Sequence, residues 1–303
     1  MFNNIRFQKL IFLFIAFILF FQCTHNPFGS DNISDKASRI KGKITLSDGA
    51  LPDGIYVWLE GADAGTYTDK NGEFQLTIPS PNNQPGGGLT GLYKVYFFLA
   101  NYEVATAEVI LRRGELQLDE ADIDKNGNLK ENKKLQKILD INITLNPNSY
   151  PVSEESVDPV LIYCGFFTGF EVPLSVTLAV EIVSGSVTLK YPNSIQGPVS
   201  VIIFEKLNTD PPFVKMLSLT GSMPQALTNV TISDKAKVWM TAHQLNPDFL
   251  PEGNYRVIPY LMIPQQNLPD ELLDNFVSDL QLPGLDILNI PIKINGGILQ
   301  ITK

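Results

Sequence analysis

Thr68-Asp69-Lys70-Asn71-Gly72-Glu73-Phe74 runs directly into Phe74-Gln75-Leu76-Thr77-Ile78, and the join decides the fold class. Asn71-Gly72 suits the positive φ angles of a tight turn, and the Asp69 side chain can bond the backbone just after it. Phe74, Leu76 and Ile78 then alternate with polar residues, which is the period of a strand with one buried face. Similar segments continue on both sides. Upstream lie Ile40-Lys41-Gly42-Lys43-Ile44-Thr45-Leu46, the turn signals Asp48-Gly49 and Pro52-Asp53-Gly54, and a strand alternating through Ile55, Val57 and Leu59. Downstream, Gly91-Leu92-Tyr93 launches Tyr93-Lys94-Val95-Tyr96-Phe97. Short alternating strands broken by Gly, Pro, Asn and Asp predict an all-β sandwich or barrel.

The set of Gly42, Val57 and Leu59, Thr68-Asp69-x-Asn71-Gly72-x-Phe74, and Gly91-x-Tyr93-x-Val95 resembles the carboxypeptidase regulatory-like domain, a prealbumin-like sandwich. The resemblance covers about a third of the chain. It implies a seven-stranded sandwich over 39–147 that is closed by Ile138–Leu145 and delayed by an insertion over 115–137. It also implies an accessory, stalk, assembly or glycan-contact role without catalytic residues.

Residues 148–159 carry Pro151 and Pro159 among Ser, Asn and Glu and read as a linker. From 160 to 303 β-type segments recur at sandwich spacing: Val160–Phe167, Leu174–Val183, Val187–Tyr191, Val199–Lys206, Phe213–Leu219, Val230–Ile232, Lys237–Thr241, Tyr255–Ile263 and Ile287–Ile294. Leu250-Pro251-Glu252-Gly253-Asn254-Tyr255 resembles the tyrosine corner of immunoglobulin-like and fibronectin-like domains, in which the Tyr255 hydroxyl would bond backbone upstream. Leu272, Leu273, Phe276, Val277 and Leu280 recur at helical spacing and predict a short helix near 269–280. The fold class expected is therefore all-β, with two β-sandwich domains in tandem.

At the amino end, Arg6 and Lys9 precede the apolar run Leu10–Phe21, and Cys23 follows Gln22. This resembles a bacterial lipoprotein signal peptide over 1–22, with Cys23 as the acylated residue and 23–38 as a flexible tether. Gln22 departs from the small residue usual before that Cys. The alternative is an uncleaved anchor, but the run falls short of the ~20 residues a spanning helix needs. The resemblance implies a palmitate-bearing protein held by its lipid to the cell envelope, with the outer membrane as the expected site.

The net charge of −9 becomes −11 once Arg6 and Lys9 are removed, which disfavours phosphate backbones, so no nucleic acid is expected as a partner. Two cysteines, one of them Cys23, give no disulfide framework, and Cys164 sits in an apolar run where a buried thiol is the ordinary reading. His25 lies in the tether and His243 stands alone, so neither belongs to a two-histidine metal motif. No nucleophile motif is present, and the chain is not expected to be an enzyme, although a carboxylate pair could escape notice.

Asp122-Ile123-Asp124-Lys125-Asn126-Gly127-Asn128-Leu129 matches the first eight places of a calcium loop, with Asp122, Asp124, Asn126 and Asn128 as oxygen ligands. Position 12 is Lys133 instead of Glu, and a solvated turn explains the same residues; no cofactor is expected beyond that possible Ca2+. Strand alternation places Tyr56 and Trp58, with Tyr96 and Phe98, on an outer face. Either these rings stack on sugar, or the second domain, the insertion or a partner covers them. The expected function is a noncatalytic binding or assembly module, with an envelope protein or polysaccharide as partner. The rivals are a carbohydrate-binding lipoprotein using those rings and an enzyme with an unrecognised site.

Overall fold

The computed structural model describes residues 39–151, 160–161, 166–167, 173–219, 226–233, 235–245, 249–281 and 284–302. Cys23, His25, Cys164 and the whole of 1–38 lie outside the described residues. The described chain is all-β, and residues 38–303 form one compact unit. No helix among the described residues is long and apolar enough to cross a membrane.

The first sandwich contains β1 (Arg39–Leu46), β2 (Tyr56–Leu59), β3 (Ala64–Tyr67), β4 (Glu73–Thr77), β5 (Gly91–Phe98), β6 (Ala105–Arg112), β7 (Glu115–Leu116) and β8 (Lys133–Leu135). One sheet has the order β3-β2-β5-β6-β7 and the other β4-β1-β8. Their inner faces meet through Ile40, Ile44, Val57, Leu59, Phe74, Leu76, Val95 and Phe97. The Thr68–Phe74 turn behaves as its residues dictate. Asp69 Oδ1 accepts from the amides of Asn71 at 2.8 Å and Glu73 at 2.9 Å, and Thr68 Oγ1 accepts from the Ile55 amide at 3.0 Å. Gly72 has φ +77°, and a Cβ there would lie 2.1 Å from the Ile44 carbonyl oxygen, so only glycine fits.

The second sandwich is built from β9 (Leu139–Asn146), β10 (Ser149–Pro151), β11 (Val160–Leu161), β12 (Phe166–Phe167), β13 (Leu174–Ile182), β14 (Val187–Pro192), β15 (Val201–Lys206), β16 (Val214–Ser218), β17 (Leu227–Ile232), β18 (Ala236–His243), β19 (Gly253–Pro259), β20 (Asn295–Gly296) and β21 (Ile298–Thr302). Its sheets are β18-β13-β9-β20 and β10-β21-β19-β15-β16, accompanied by the two-stranded ribbons β14-β17 and β11-β12. Tyr255 is fully buried and its hydroxyl donates to the Pro251 carbonyl, which is the tyrosine corner expected from Leu250–Tyr255.

Several boundaries differ from the expected ones. The strand expected to close the first sandwich is β9, and it pairs with β13 from Leu139↔Ile182 to Asn146↔Ser175 inside the second sandwich. Its place beside β1 is taken by β8, whose Lys133–Leu135 runs parallel to Ile44–Leu46. The crossing between sandwiches therefore falls near Gln136–Ile138, not at 148–159, and part of that segment is β10, paired with Gln300–Thr302. Val160–Phe167 is two short strands, not one. Ile287–Ile294 is not a strand: Leu285–Asn289 is a 3-10 turn, and the sheet position belongs to β21. The helix near 269–280 reduces to α1 (Asp270–Leu273). Beyond it the amides of Asn275 and Phe276 bond only three residues back, to Leu272 and Leu273, and the Ser278 amide leaves the turn for Asp286 Oδ2 at 2.7 Å.

The Tyr255→Phe variant removes only the hydroxyl and leaves the Pro251 carbonyl unpaired. It is expected to cost about 1–2 kcal/mol in urea denaturation. A change within error would show that the corner contributes nothing to this sandwich.

Candidate functional site

Alternation puts Tyr56, Trp58, Tyr96 and Phe98 together on the outer face of β2 and β5, where Tyr56 faces Phe98 and Trp58 faces Tyr96 across the ladder. That face is not open to solvent. The four rings are between 1% and 8% exposed and belong to the same apolar cluster as the second sandwich. Phe276, just after α1, covers the Tyr56–Phe98 pair: its ring lies 4.8 Å from Tyr56, edge-on, and 5.9 Å from Phe98. Burial, with smaller contributions from Tyr67 and Asp63, pushes the Tyr56 phenol up to about 12. Trp58 Nε1 is buried without a hydrogen-bond partner. A platform for sugar stacking is thus ruled out at these four residues, because a second layer of protein already occupies it.

Polar groups fix the two sandwiches around this apolar contact. Asn101, 1% exposed, follows β5; its Nδ2 donates to the carbonyls of Leu139 at 3.2 Å and Lys293 at 3.1 Å, and its Oδ1 accepts from the Lys293 amide at 3.1 Å. Gln265 reaches from the second sandwich in return, donating to the carbonyls of Ala100 and Tyr102 and accepting from the Val104 amide at 3.0 Å. Lys137, where the chain crosses over, bonds Asp48 at 2.8 Å and also Asp140. Burial works against its ammonium, but the bonds to Asp140 and Asp48 outweigh that and raise its pKa.

Beside this junction lies a crevice of about 380 Å³. The first sandwich contributes Asp53 and Tyr67, and the second contributes Arg256, Ile258, Asn289 and Lys293. Lys293 Nζ meets Asp53 Oδ1 at 2.5 Å and holds that carboxyl below the usual range. The Arg256 guanidinium grips Glu205, with Nε 2.9 Å from Oε2. These residues were not singled out from the sequence, since Asp53 read there as a turn residue and Lys293 fell inside the expected strand Ile287–Ile294. Nothing local signals a contact across 240 residues.

The Asp122–Asn128 loop is an Asx turn closed on itself. Asp124 Oδ1 accepts from the amides of Asn126 at 2.8 Å and Asn128 at 2.7 Å, and its Oδ2 accepts from Asn128 Nδ2 at 3.1 Å. The Asn128 amide is the main cause of the lowered Asp124 pKa. Asp122 Oδ2 accepts from the Glu108 amide at 3.0 Å and from Lys133 Nζ at 3.3 Å. Lys133, at the place of the closing Glu, puts an ammonium where calcium would need a carboxylate, so these residues do not fit a calcium shell. Among the described residues no cluster of three or more His, Cys, Asp or Glu could hold a metal.

His243 ends β18, 1% exposed, with Nε2 3.0 Å from the Val199 carbonyl and Nδ1 buried without a partner. No carboxylate is bonded to either ring nitrogen, so the arrangement of a general base is missing. No protein family model matches this chain, and no characterised protein is similar to it in sequence. Solved structures similar to it include a candidate carbohydrate binding protein from Bacteroides uniformis, 14% identical, with a TM-score of 0.32 over 75% of this chain and 96% of that one. Another is BcpA, the major pilin subunit of Bacillus cereus, 12% identical, with a TM-score of 0.23 over 75% of this chain and 69% of that one. The assignment to the all-β class rests on the strands described above, and these likenesses assign neither a family nor a ligand.

Burial lowers the His243 pKa, with the Val199 carbonyl pulling the other way. The unfolded chain therefore takes up this proton at a higher pH than the folded chain. The stability this creates is present above about pH 6.5 and is lost as pH falls through the folded value. Stability should decline on acidification by up to about 1.4 kcal/mol per pH unit from this one group. The decline should be shallower in His243→Gln, followed by urea denaturation between pH 7.5 and 5. Identical pH profiles would show that His243 carries no such linkage.

Proposed function

We propose that this chain is an exported, lipid-anchored protein of the cell envelope whose two sandwiches act together as one noncatalytic binding or assembly module. The first sandwich is proposed as carboxypeptidase regulatory-like and the second as immunoglobulin-like or fibronectin-like. The observation that carries the reading is the fate of Tyr56, Trp58, Tyr96 and Phe98. Aromatics that would serve a ligand if open are spent on holding a second sandwich in a fixed pose, which suits a presenting or assembling body.

Metabolic labelling with an alkyne analogue of palmitate tests the anchor. The wild type should take up label and sediment with membranes, and Cys23→Ser should lose the label. Label retained in Cys23→Ser, or none in the wild type, would overturn the lipid-anchored reading.

A further inference from the structure

The crevice beside the junction has a chemistry that the joining of the sandwiches does not require. At about 380 Å³ it falls at the small end of ordinary ligand sites. Its aliphatic residues Ile258, Leu288, Ile292 and Ile294 are only half-buried and leave apolar surface facing the space. Tyr67 is 51% exposed, with one side of its ring steadied by Tyr56 at a centroid distance of 5.1 Å. The charged residues that line it, Asp53, Lys293 and Arg256, are already paired, the first two with each other and Arg256 with Glu205, which is not in the lining. Side-chain exposures from 27% to 48% leave both pairs reachable from water.

Compensated charge narrows the ligand. An anion approaching Arg256 or Lys293 meets the partner carboxylate, and a cation meets the ammonium or guanidinium, so a net charge is opposed either way. A hydroxyl both donates and accepts, so one hydroxyl can bond a carboxylate oxygen while its neighbour accepts from the paired cation. Carbon-bound hydrogens on the ligand would then rest on the aliphatic wall and the open face of Tyr67.

We propose that this crevice is a binding site for a neutral saccharide unit, with Asp53, Lys293 and Arg256 bonding its hydroxyls and Tyr67 packing against its ring. The proposal rests on reading the chain as a binding module, and it moves the carbohydrate site away from the sealed outer face of β2 and β5.

The test is isothermal titration calorimetry of the full-length protein in a detergent without a sugar headgroup. The probes are maltotriose, cellotriose and mannotriose, with trigalacturonate and octanoate as charged competitors. At least one neutral trisaccharide should bind saturably, and Asp53→Asn and Tyr67→Ala should each weaken it at least tenfold while circular dichroism stays unchanged. No saturable binding by any neutral probe, tighter binding of either anion, or binding untouched by both folded variants would overturn the proposal. Absence of palmitate label from the wild type would refute the anchor and leave this site standing, so the two failures are separable.

Discussion

Two cross-strand aromatic pairs, Tyr56 with Phe98 and Trp58 with Tyr96, cannot be left in water, and most of the architecture follows from how they are covered. One aromatic ring of this kind buries some 150–250 Å², so four on one sheet face make a patch larger than a soluble surface ordinarily carries. The inner faces of the first sandwich are already filled by Val57, Leu59, Val95 and Phe97, so the outer face needs a partner from elsewhere in the chain. Phe276 and the second sandwich provide it. The first sandwich is consequently not a self-sufficient unit with one core and one solvated face; β2 and the Val95–Phe98 half of β5 are buried on both faces.

Apolar contact alone would not fix the angle between two sandwiches. Orientation comes from buried amides that have one satisfactory arrangement. Asn101 and Gln265 each bridge the junction with both ends of the side chain, and each would leave unpaired backbone groups if the bodies rotated. The crossover near Lys137 adds a charged clamp through Asp48 and Asp140. A crevice beside such a junction keeps its shape because both walls belong to one body, which is the preorganisation a small-ligand site requires.

Much of this was legible in the residues. Asp69, Asn71 and Gly72 announced their turn, Leu250–Tyr255 announced the tyrosine corner, and period-two alternation placed Val57 and Tyr56 on opposite faces of β2. What alternation lacks is the identity of the neighbouring sheet. Leu139, Ile141, Ile143 and Leu145 would suit either sandwich, and pairing with Leu174–Ile182 is a long-range choice with no local signature. The Ile287–Ile294 run shows the same limit: apolar enough for a strand, it begins in a 3-10 turn and its Pro291 carbonyl accepts from the Ala100 amide across the junction. The Asp122–Asn128 loop looked like a cation site because Asx turns and calcium loops use the same short acids and amides; Lys133 decides between them only once its position is known. The crevice was invisible, since Asp53, Tyr67, Arg256 and Lys293 meet only through tertiary contact.

The central claim is that the sandwiches are one cooperative body because the β2-β5 face is core to both. Scanning calorimetry of the wild type against Phe276→Ala tests it most directly. The wild type should melt in one transition whose calorimetric and van't Hoff enthalpies agree. Phe276→Ala, which opens the shared face and should cost about 3–5 kcal/mol, should lower that transition or split it. Two independent transitions in the wild type, with Phe276→Ala shifting only one of them, would contradict the account.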